Sequence, residues 1–413
     1  MTPYATLSYF AILAVVLVPM TVAGARGKAD GRWVVGATLL FLLLQYQKPL
    51  QLAPGIQIPE LGALVVFALY QWGLLLLVLR SSNRKAAPWW AIPLGLLPLA
   101  VAKFLPLALP LSSFGFAGIS YVTFRALDAL WMLTDGAVKE VKLSDFWAFL
   151  FFFPTISSGP IDRLRRFKSF WRRRRTALEF WTDLDGGMHF IFRGLLYKFI
   201  ISLLLEEYID KHAQYAHGIA GAVLYSYVYT LNLFFDFAGY SCFAIGVSRW
   251  FGLGVCDNFC APFAATNIRD FWGRWHISLS TWFRDHVYTR FLLMAMKRKW
   301  FKRRETASDL AYFVSFGLMG IWHGIAPHYI IYGLYHATLM CSYDVYHRWK
   351  KKNPTRLTFL SNVWVARCIT FHFVCFGLWI FSGHGLQYKE APTPAEQVKA
   401  EAKGEPTAKE AQR

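Results

Sequence analysis

The chain has 413 residues, 55% of them hydrophobic and only 17% charged, with 17 Trp, 36 Phe and a mean hydropathy of +0.32. A soluble domain of this length would be less apolar and more charged, so a soluble multi-domain architecture is excluded. The net charge of +19 does not mark a nucleic-acid binder, because the basic residues are blocked into short loops between apolar runs, the positive-inside pattern of a polytopic helical membrane protein facing anionic lipid.

Tyr4–Val22 reads as a first span. It lacks a charged segment ahead of it and is expected to be retained, not cleaved as a signal. Arg26, Lys28 and Arg32 follow, which puts that loop in the cytoplasm and the N-terminus outside. Val34–Leu44 is a shorter apolar stretch, and Gln47–Glu60, with several prolines, reads as an external loop. Leu61–Leu79 is the next span, closed by Arg80, Arg84 and Lys85. Trp89–Leu109 follows, with Pro93, Pro98 and Pro106 expected to bend it.

From Ser112 the texture changes. Arg125 and Asp128 interrupt an apolar run and, three apart, share a helix face on which they are expected to pair. Phe146–Phe167 breaks at Pro154 and Pro160, and broken apolar segments occur at membrane depth only where protein or water covers the backbone. Residues 112–160 therefore read as short, partly re-entrant helices lining a cavity. Arg163–Arg175 carries eight basic residues and is cytoplasmic. His189–Leu205 is a span with Arg193 and Lys198 expected on its cytoplasmic half, where they can snorkel. Ala222–Val247 contains Asp236, and Gly239 and Gly246 permit close helix contact. Arg348–Lys352 marks another cytoplasmic loop, and Leu357–Phe381 is the last span. Residues 1–385 read as one transmembrane domain and 386–413 as a disordered tail rich in Ala, Glu, Lys and Pro. None of the six cysteines forms a CxxC pair and no His completes a zinc set, so they read as reduced structural thiols.

Two Trp-His pairs dominate the stretch from Asn258 to Ala337: Trp275-His276, among Arg, Asp and Trp residues, and Trp322-His323, in a nearly charge-free run. A titratable imidazole at membrane depth is costly and is a functional hypothesis by default. A lone His on an apolar helix is nonetheless more often a satisfied core residue. What favours catalysis at His323 is the break beside it, where Gly324 and then Pro327 are expected to stop the helix and open space for a ligand. His328 is expected in a loop, and His336 against a neighbouring helix. Asn267–Phe291 carries too many charges for an ordinary span, and reads as an interfacial helix with Trp272, Trp275 and Trp282 at headgroup level. Leu292, Leu293 and Met296 then share a face, and six of the eight residues Lys297–Arg304 are basic, including Arg303 and Arg304. Two readings of that surface stand: docking of an acidic helical protein, or rest on anionic lipid.

Six ordered blocks carry a family resemblance: GISYVTFR (118–125), FFPTISSGPIDRLRRF (152–167), FFDFAGYSCFAIGVSRWFG (234–252), APFAATNIRDFW (261–272), RDHVYTRF (284–291) and WHGIAPHYIIYGLYH (322–336). With FWGRWHISLSTWFRD and a GIWHG 47 residues from His276 to His323, the chain resembles the membrane-bound O-acyltransferases, and within them the branch serving D-alanyl transfer. Thr155 after FFP, Arg125 after TF and TRFLL after VY separate it from the alginate O-acetylase branch. Cys260, where the resemblance leads one to expect Asn in an NFNxPF pattern whose Asn258 is retained, is a departure not expected to abolish chemistry.

The resemblance implies an all-α, polytopic ring of about 11 transmembrane helices around a thin centre, with a histidine where a cytoplasmic tunnel meets an outward funnel. It implies His323 and His276 as the catalytic residues, with Trp275, Arg284, Asp285, Trp322 and Gly324 lining the site. Leu292, Leu293, Met296, Lys297, Arg303 and Arg304 would dock the donor. That donor is an alanyl thioester on the phosphopantetheine of a small acidic carrier protein on the cytoplasmic side, with no permanently bound cofactor and no metal. An envelope polymer such as teichoic acid, or an intermediate acceptor, supplies the hydroxyl at the outer face of a multi-pass cell-membrane enzyme. Two alternatives are a polysaccharide O-acetyltransferase and, from another class, a transporter of the activated donor.

Overall fold

The computed structural model describes residues 2–28, 32–53, 56–108, 115–171, 173–213 and 218–384. The proposed tail lies outside these residues. α1 (Leu7–Ala25) and α2 (Arg32–Gln45) lead into an antiparallel hairpin, β1 (Pro49–Ala53) and β2 (Ile56–Pro59), where an external loop was expected. Then come α3 (Glu60–Arg80) and α4 (Pro88–Ala108), which stays one helix through its three prolines. The broken region follows as α5 (Ile119–Thr134), α6 (Leu143–Leu150), a 3₁₀ turn at Phe153–Thr155 and α7 (Leu164–Trp171). α8 (Ala177–Leu196) runs through a π-helical turn, Tyr197–Ser202, into α9 (Leu203–Lys211), and α10 is Gly218–Trp250. The central stretch folds as α11 (Ile268–Trp272), α12 (Ile277–Phe283), a π-helical turn at Arg284–Tyr288 and α13 (Thr289–Lys297). α14 (Arg304–His323), α15 (Pro327–Lys352) and α16 (Val363–Phe381) complete the fold.

Six of the described helical runs are long and apolar enough to cross a bilayer: Leu7–Ala25, Glu60–Arg80, Pro88–Pro106, Ala177–Lys211, Gly218–Trp250 and Val363–Phe381. Helix contacts at this depth are made by small residues. A Cβ on Gly246 would stand 2.7 Å from the Gly187 carbonyl oxygen, and one on Gly194 3.0 Å from that of Gly239, so α8 and α10 touch backbone to backbone, as Gly239 and Gly246 suggested. Gly320 and Gly333 do the same for the α14–α15 hairpin.

Three expectations are corrected by tertiary contacts. Arg125 and Asp128 do not pair with each other. The chain break at Pro154 frees backbone carbonyls at membrane depth, where only protein donors can satisfy them. Arg125, 1% exposed, supplies those donors, reaching the carbonyls of Phe149 (3.2 Å) and Leu150 (3.1 Å) and both the carbonyl and the hydroxyl of Thr155. Asp128 turns the other way, accepting from Arg163 Nη1 (2.9 Å) and from the Leu164 amide (2.9 Å) that opens α7, and bonding His286 Nε2 at 2.9 Å. Second, Trp272, Trp275 and Trp282 are buried and do not present their rings to a headgroup layer. Their indoles pack inside the protein, Trp282 Nε1 donating to the Phe124 carbonyl (3.1 Å) and Trp272 Nε1 to His336 Nδ1 (3.3 Å). The 267–291 stretch is thus a set of short helices folded into the core, because three large aromatics gain more by burial than a headgroup region provides. Third, Lys198, expected to snorkel, bonds Asp236 on α10, each charge answering the other.

The prolines and histidines near the end also sort differently. Pro327 does not stop α14 but opens α15, at the first position, where its missing N–H costs nothing. His328 is consequently in the first turn of α15, and buried. His336 packs as expected, between Trp272 and α16.

Candidate active site

His276 sits between α11 and α12 with φ +42°. That left-handed conformation costs a non-glycine residue roughly 1–2 kcal/mol, so the surroundings must impose it. Asn258 does so. Its carbonyl accepts from Ile277 N (2.9 Å), and its Oδ1 accepts from Ser278 N (3.3 Å) and Ser278 Oγ (2.6 Å). Its Nδ2 donates to Ser241 Oγ on α10 (3.1 Å). Two residues on, Cys260 exchanges backbone bonds with Arg274: its N–H donates to the Arg274 carbonyl (3.0 Å), and its own carbonyl accepts from Arg274 Nη1 (3.4 Å). The Asn258–Cys260 strand therefore braces the turn on both sides of His276. At 260 the backbone does this work and the thiol is exposed, which is why Cys in place of Asn is compatible with the same turn.

The His276 ring is 5% exposed, lies 4.6 Å edge-on from Phe237 of α10 and 6.5 Å from Trp322, and its Nδ1 has no hydrogen-bond partner among the described residues. Trp275, one residue earlier, faces away into Phe259, Phe263 and Phe271, and so supports the turn from behind.

His323 ends α14. Its ring is half-buried in an aromatic enclosure: Trp322 at 4.5 Å, Phe381 of α16 at 4.9 Å, and Tyr329 and Tyr332 of α15 each at 6.2 Å. Gly324 follows with extended backbone, and a Cβ there would fall 2.4 Å from the Tyr329 ring. The glycine thus lets α15 close over the imidazole. Trp322 stands between the two histidines, touching both rings, and its Nε1 is buried without a partner among the described residues. Two buried polar atoms without partners beside a half-buried imidazole make this a candidate place for a ligand, although other buried polar atoms, Trp147 Nε1 and Trp379 Nε1 among them, also lack partners among the described residues.

Arg284 and Asp285 form a separate cluster. They pair with each other (2.8 Å), and Asp285 also pairs with Arg163 (3.2 Å). Neither bonds to His276 or His323. His286 joins them through the Asp128–Arg163 group, and burial lowers its pKa despite the carboxylate beside it. On α13, Leu293 is 64% and Met296 46% exposed, Leu292 is half-buried, and Lys297, Arg303 and Arg304 are exposed beside them. An apolar step with a basic rim is therefore open on this face.

One contact was not foreseen. Lys103 of α4 donates from its Nζ to the carbonyl of Trp322, the peptide that joins Trp322 to His323. The sequence does hold a signal for it, since Lys103 is the only charged residue in α4.

The arrangement sets a half-buried imidazole in an aromatic enclosure, with a second imidazole across an indole. That suits proton transfer to and from a hydroxyl in a water-poor centre. The membrane-bound O-acyltransferase family model matches residues 49–382. The chain is 41% identical to the teichoic acid D-alanyltransferase of Bacillus subtilis (strain 168), across 93% of this chain and 98% of that protein. It is 35% identical to the teichoic acid D-alanyltransferase of Lacticaseibacillus rhamnosus, across 92% and 97%. A probable alginate O-acetylase of Pseudomonas aeruginosa is 33% identical, but across only 65% of this chain and 49% of that protein. The family match over residues 49–382, the end-to-end similarity to a D-alanyltransferase and a predominantly helical, multi-pass architecture make this chain an acyltransferase of the membrane-bound O-acyltransferase family.

Proposed function

We propose that this enzyme moves D-alanine from the phosphopantetheine thioester of a small acidic carrier protein to a hydroxyl of teichoic acid or a related envelope acceptor. The observation that carries the reading is the end-to-end similarity to two teichoic acid D-alanyltransferases, against only partial similarity to an alginate O-acetylase. The site fits it. The alanyl group arrives already activated as a thioester, so the protein has to align donor and hydroxyl, which removes much of the entropic barrier. His323 takes the hydroxyl proton as the oxygen attacks the thioester carbon, and returns it to the departing thiol. His276, on the far side of Trp322, holds a second proton-accepting nitrogen next to the reacting groups.

The donor's approach has a candidate path. A cavity of about 300 Å³ opens between α12, α14 and α15, with Arg269 and Arg284 among its lining, and Met319, one turn before His323, along its wall. It is mostly apolar, as a pantetheine arm requires. The carrier itself would dock on the open face formed by Leu292, Leu293 and Met296, with Lys297, Arg303 and Arg304 meeting its acidic surface.

The test is a transfer assay with the protein in lipid nanodiscs, labelled D-alanyl carrier as donor, and chemical identification of the esterified product. The wild-type protein forms D-alanyl ester, and His323→Ala, although folded and membrane-inserted, forms none. Ester formation by His323→Ala at the wild-type rate, or transfer from an acetyl donor but not from the alanyl carrier, overturns the proposal.

A further inference from the structure

We propose that Lys103 is a catalytic residue whose ammonium stabilises the oxyanion formed when the acceptor hydroxyl attacks the alanyl thioester beside His323. This rests on the donor and acceptor chemistry proposed above and supplies what that chemistry still lacks, a positive group at the developing negative charge.

The position is specific. α4 is a membrane-length apolar helix and Lys103 is its only charged residue. Its Nζ is bonded to the carbonyl of Trp322, one peptide from the imidazole-bearing residue. Arg284, by contrast, is engaged with Asp285, which also pairs with Arg163.

A purely structural role has to be weighed against this. Trp322 lies in the last turn of α14, whose final carbonyls lack helical partners, and a cation there satisfies one of them and opposes the helix dipole. That role uses one of the three N–H donors of an ammonium. Among the described residues no carboxylate pairs with Lys103, so its charge is left uncompensated. An unpaired cation at membrane depth is expensive, and a neutral donor would cap the helix without that penalty. The neighbouring polar atoms point the same way. Trp322 Nε1 is buried and unpartnered one residue from His323, and His276 Nδ1 is unpartnered across the indole. The group as a whole offers hydrogen bonds and positive charge to something absent from the protein's own side chains.

The step balances without further reagents. The hydroxyl oxygen bonds the thioester carbon while its proton passes to His323, and the carbonyl π electrons move onto oxygen next to Lys103. The tetrahedral species then collapses, the C–S bond breaks, and His323 returns its proton to the pantetheine sulfur. Products are the ester and the free thiol, and Lys103 begins and ends protonated. A fixed charge in a water-poor centre acts on such an oxyanion far more strongly than it would in water.

Three variants of the full chain in nanodiscs separate charge from capping: Lys103→Arg keeps both, Lys103→Gln keeps an N–H for the Trp322 carbonyl but loses the charge, and Lys103→Met loses both. Single-turnover rates with saturating D-alanyl carrier, donor and acceptor KM, and thermal stability are measured for each. Expected is a fall of about 100- to 1000-fold in the rate for Gln and Met, with KM values near wild type, Gln as stable as wild type, and Arg recovering at least a tenth of the rate. Lys103→Gln reacting at close to the wild-type rate overturns the proposal and leaves a helix cap. A loss confined to acceptor KM also overturns it, in favour of acceptor binding. If the wild-type protein transfers acetyl and not alanyl groups, the proposed function fails, and the same three variants assayed on that donor still decide the role of Lys103.

Discussion

Replacing Asn258 with Ala removes the brace that holds His276 in a left-handed conformation. The side chain is 1% exposed and makes three hydrogen bonds, two accepted by Oδ1 from Ser278 and one donated by Nδ2 to Ser241. Hydrogen bonds within membrane proteins average about 0.6 kcal/mol each, reaching about 1.7, so the bonds alone contribute about 2 kcal/mol. The Ser278 amide and hydroxyl stay buried when the partner goes, and an orphaned buried polar group costs roughly 1–3 kcal/mol. The total loss is then about 3–5 kcal/mol by these two terms. Part of it falls on the native geometry, because the freed turn can recover the roughly 1–2 kcal/mol stored at His276 by leaving the left-handed region. Asn258→Ala is therefore expected to lower the apparent melting temperature by several degrees and, in addition, to cut D-alanyl transfer more than a loss of folded protein explains. Asn258→Asp keeps both Oδ1 acceptor bonds, and Ser241 can donate in place of the lost amide, so it retains much more of both properties. The assays are a thermal scan in detergent and the carrier-dependent transfer rate per folded molecule. Unchanged activity per folded molecule in Asn258→Ala would refute the link between this brace and the function of His276.

Other perturbations test separate parts of the scaffold. Arg125→Met leaves the carbonyls of Phe149, Leu150 and Thr155 without donors and should destabilise the protein by about 3 kcal/mol or more. Arg125→Lys restores only part of this, since an ammonium lacks the guanidinium fork, and monodisperse yield after heating checks both. Gly246→Leu drives a side chain into the Gly187 carbonyl and should separate α8 from α10, costing about 1–3 kcal/mol or more, read as faster proteolysis of the α8–α10 pair. Reversing Arg303 and Arg304 to Glu should weaken carrier binding and make the residual binding less sensitive to salt. Unchanged binding at low and high salt would assign that cluster to lipid or topology alone.

How far the sequence could be read depended on the range of the interaction. Apolar runs and basic loops located most spans to within a few residues, because hydropathy and charge act locally on membrane insertion, but the run read from His189 begins twelve residues earlier, at Ala177. The glycines of the α8–α10 contact were legible for the same reason, since close packing at membrane depth admits few other residues. Arg125 and Asp128 were not, because spacing on one helix says which residues share a face and nothing about what approaches that face. The partners lie 24 to 30 residues from Arg125 and 35 or more from Asp128. The buried tryptophans failed likewise. An aromatic near charged residues suits a headgroup region and a protein core equally, and the distinction is made by whether another helix covers it.

What the sequence by itself determined is a predominantly helical membrane enzyme with two Trp-His pairs, because periodicity, hydropathy and ordered motifs are properties of the chain taken segment by segment. What only the tertiary structure decided is how those pairs become one centre. Trp322 lies between His276 and His323, Asn258 holds one imidazole in a conformation it would not adopt alone, and Lys103 arrives from a helix 219 residues away. Each depends on a polar group finding its partner across the fold, in a medium where solvent supplies none.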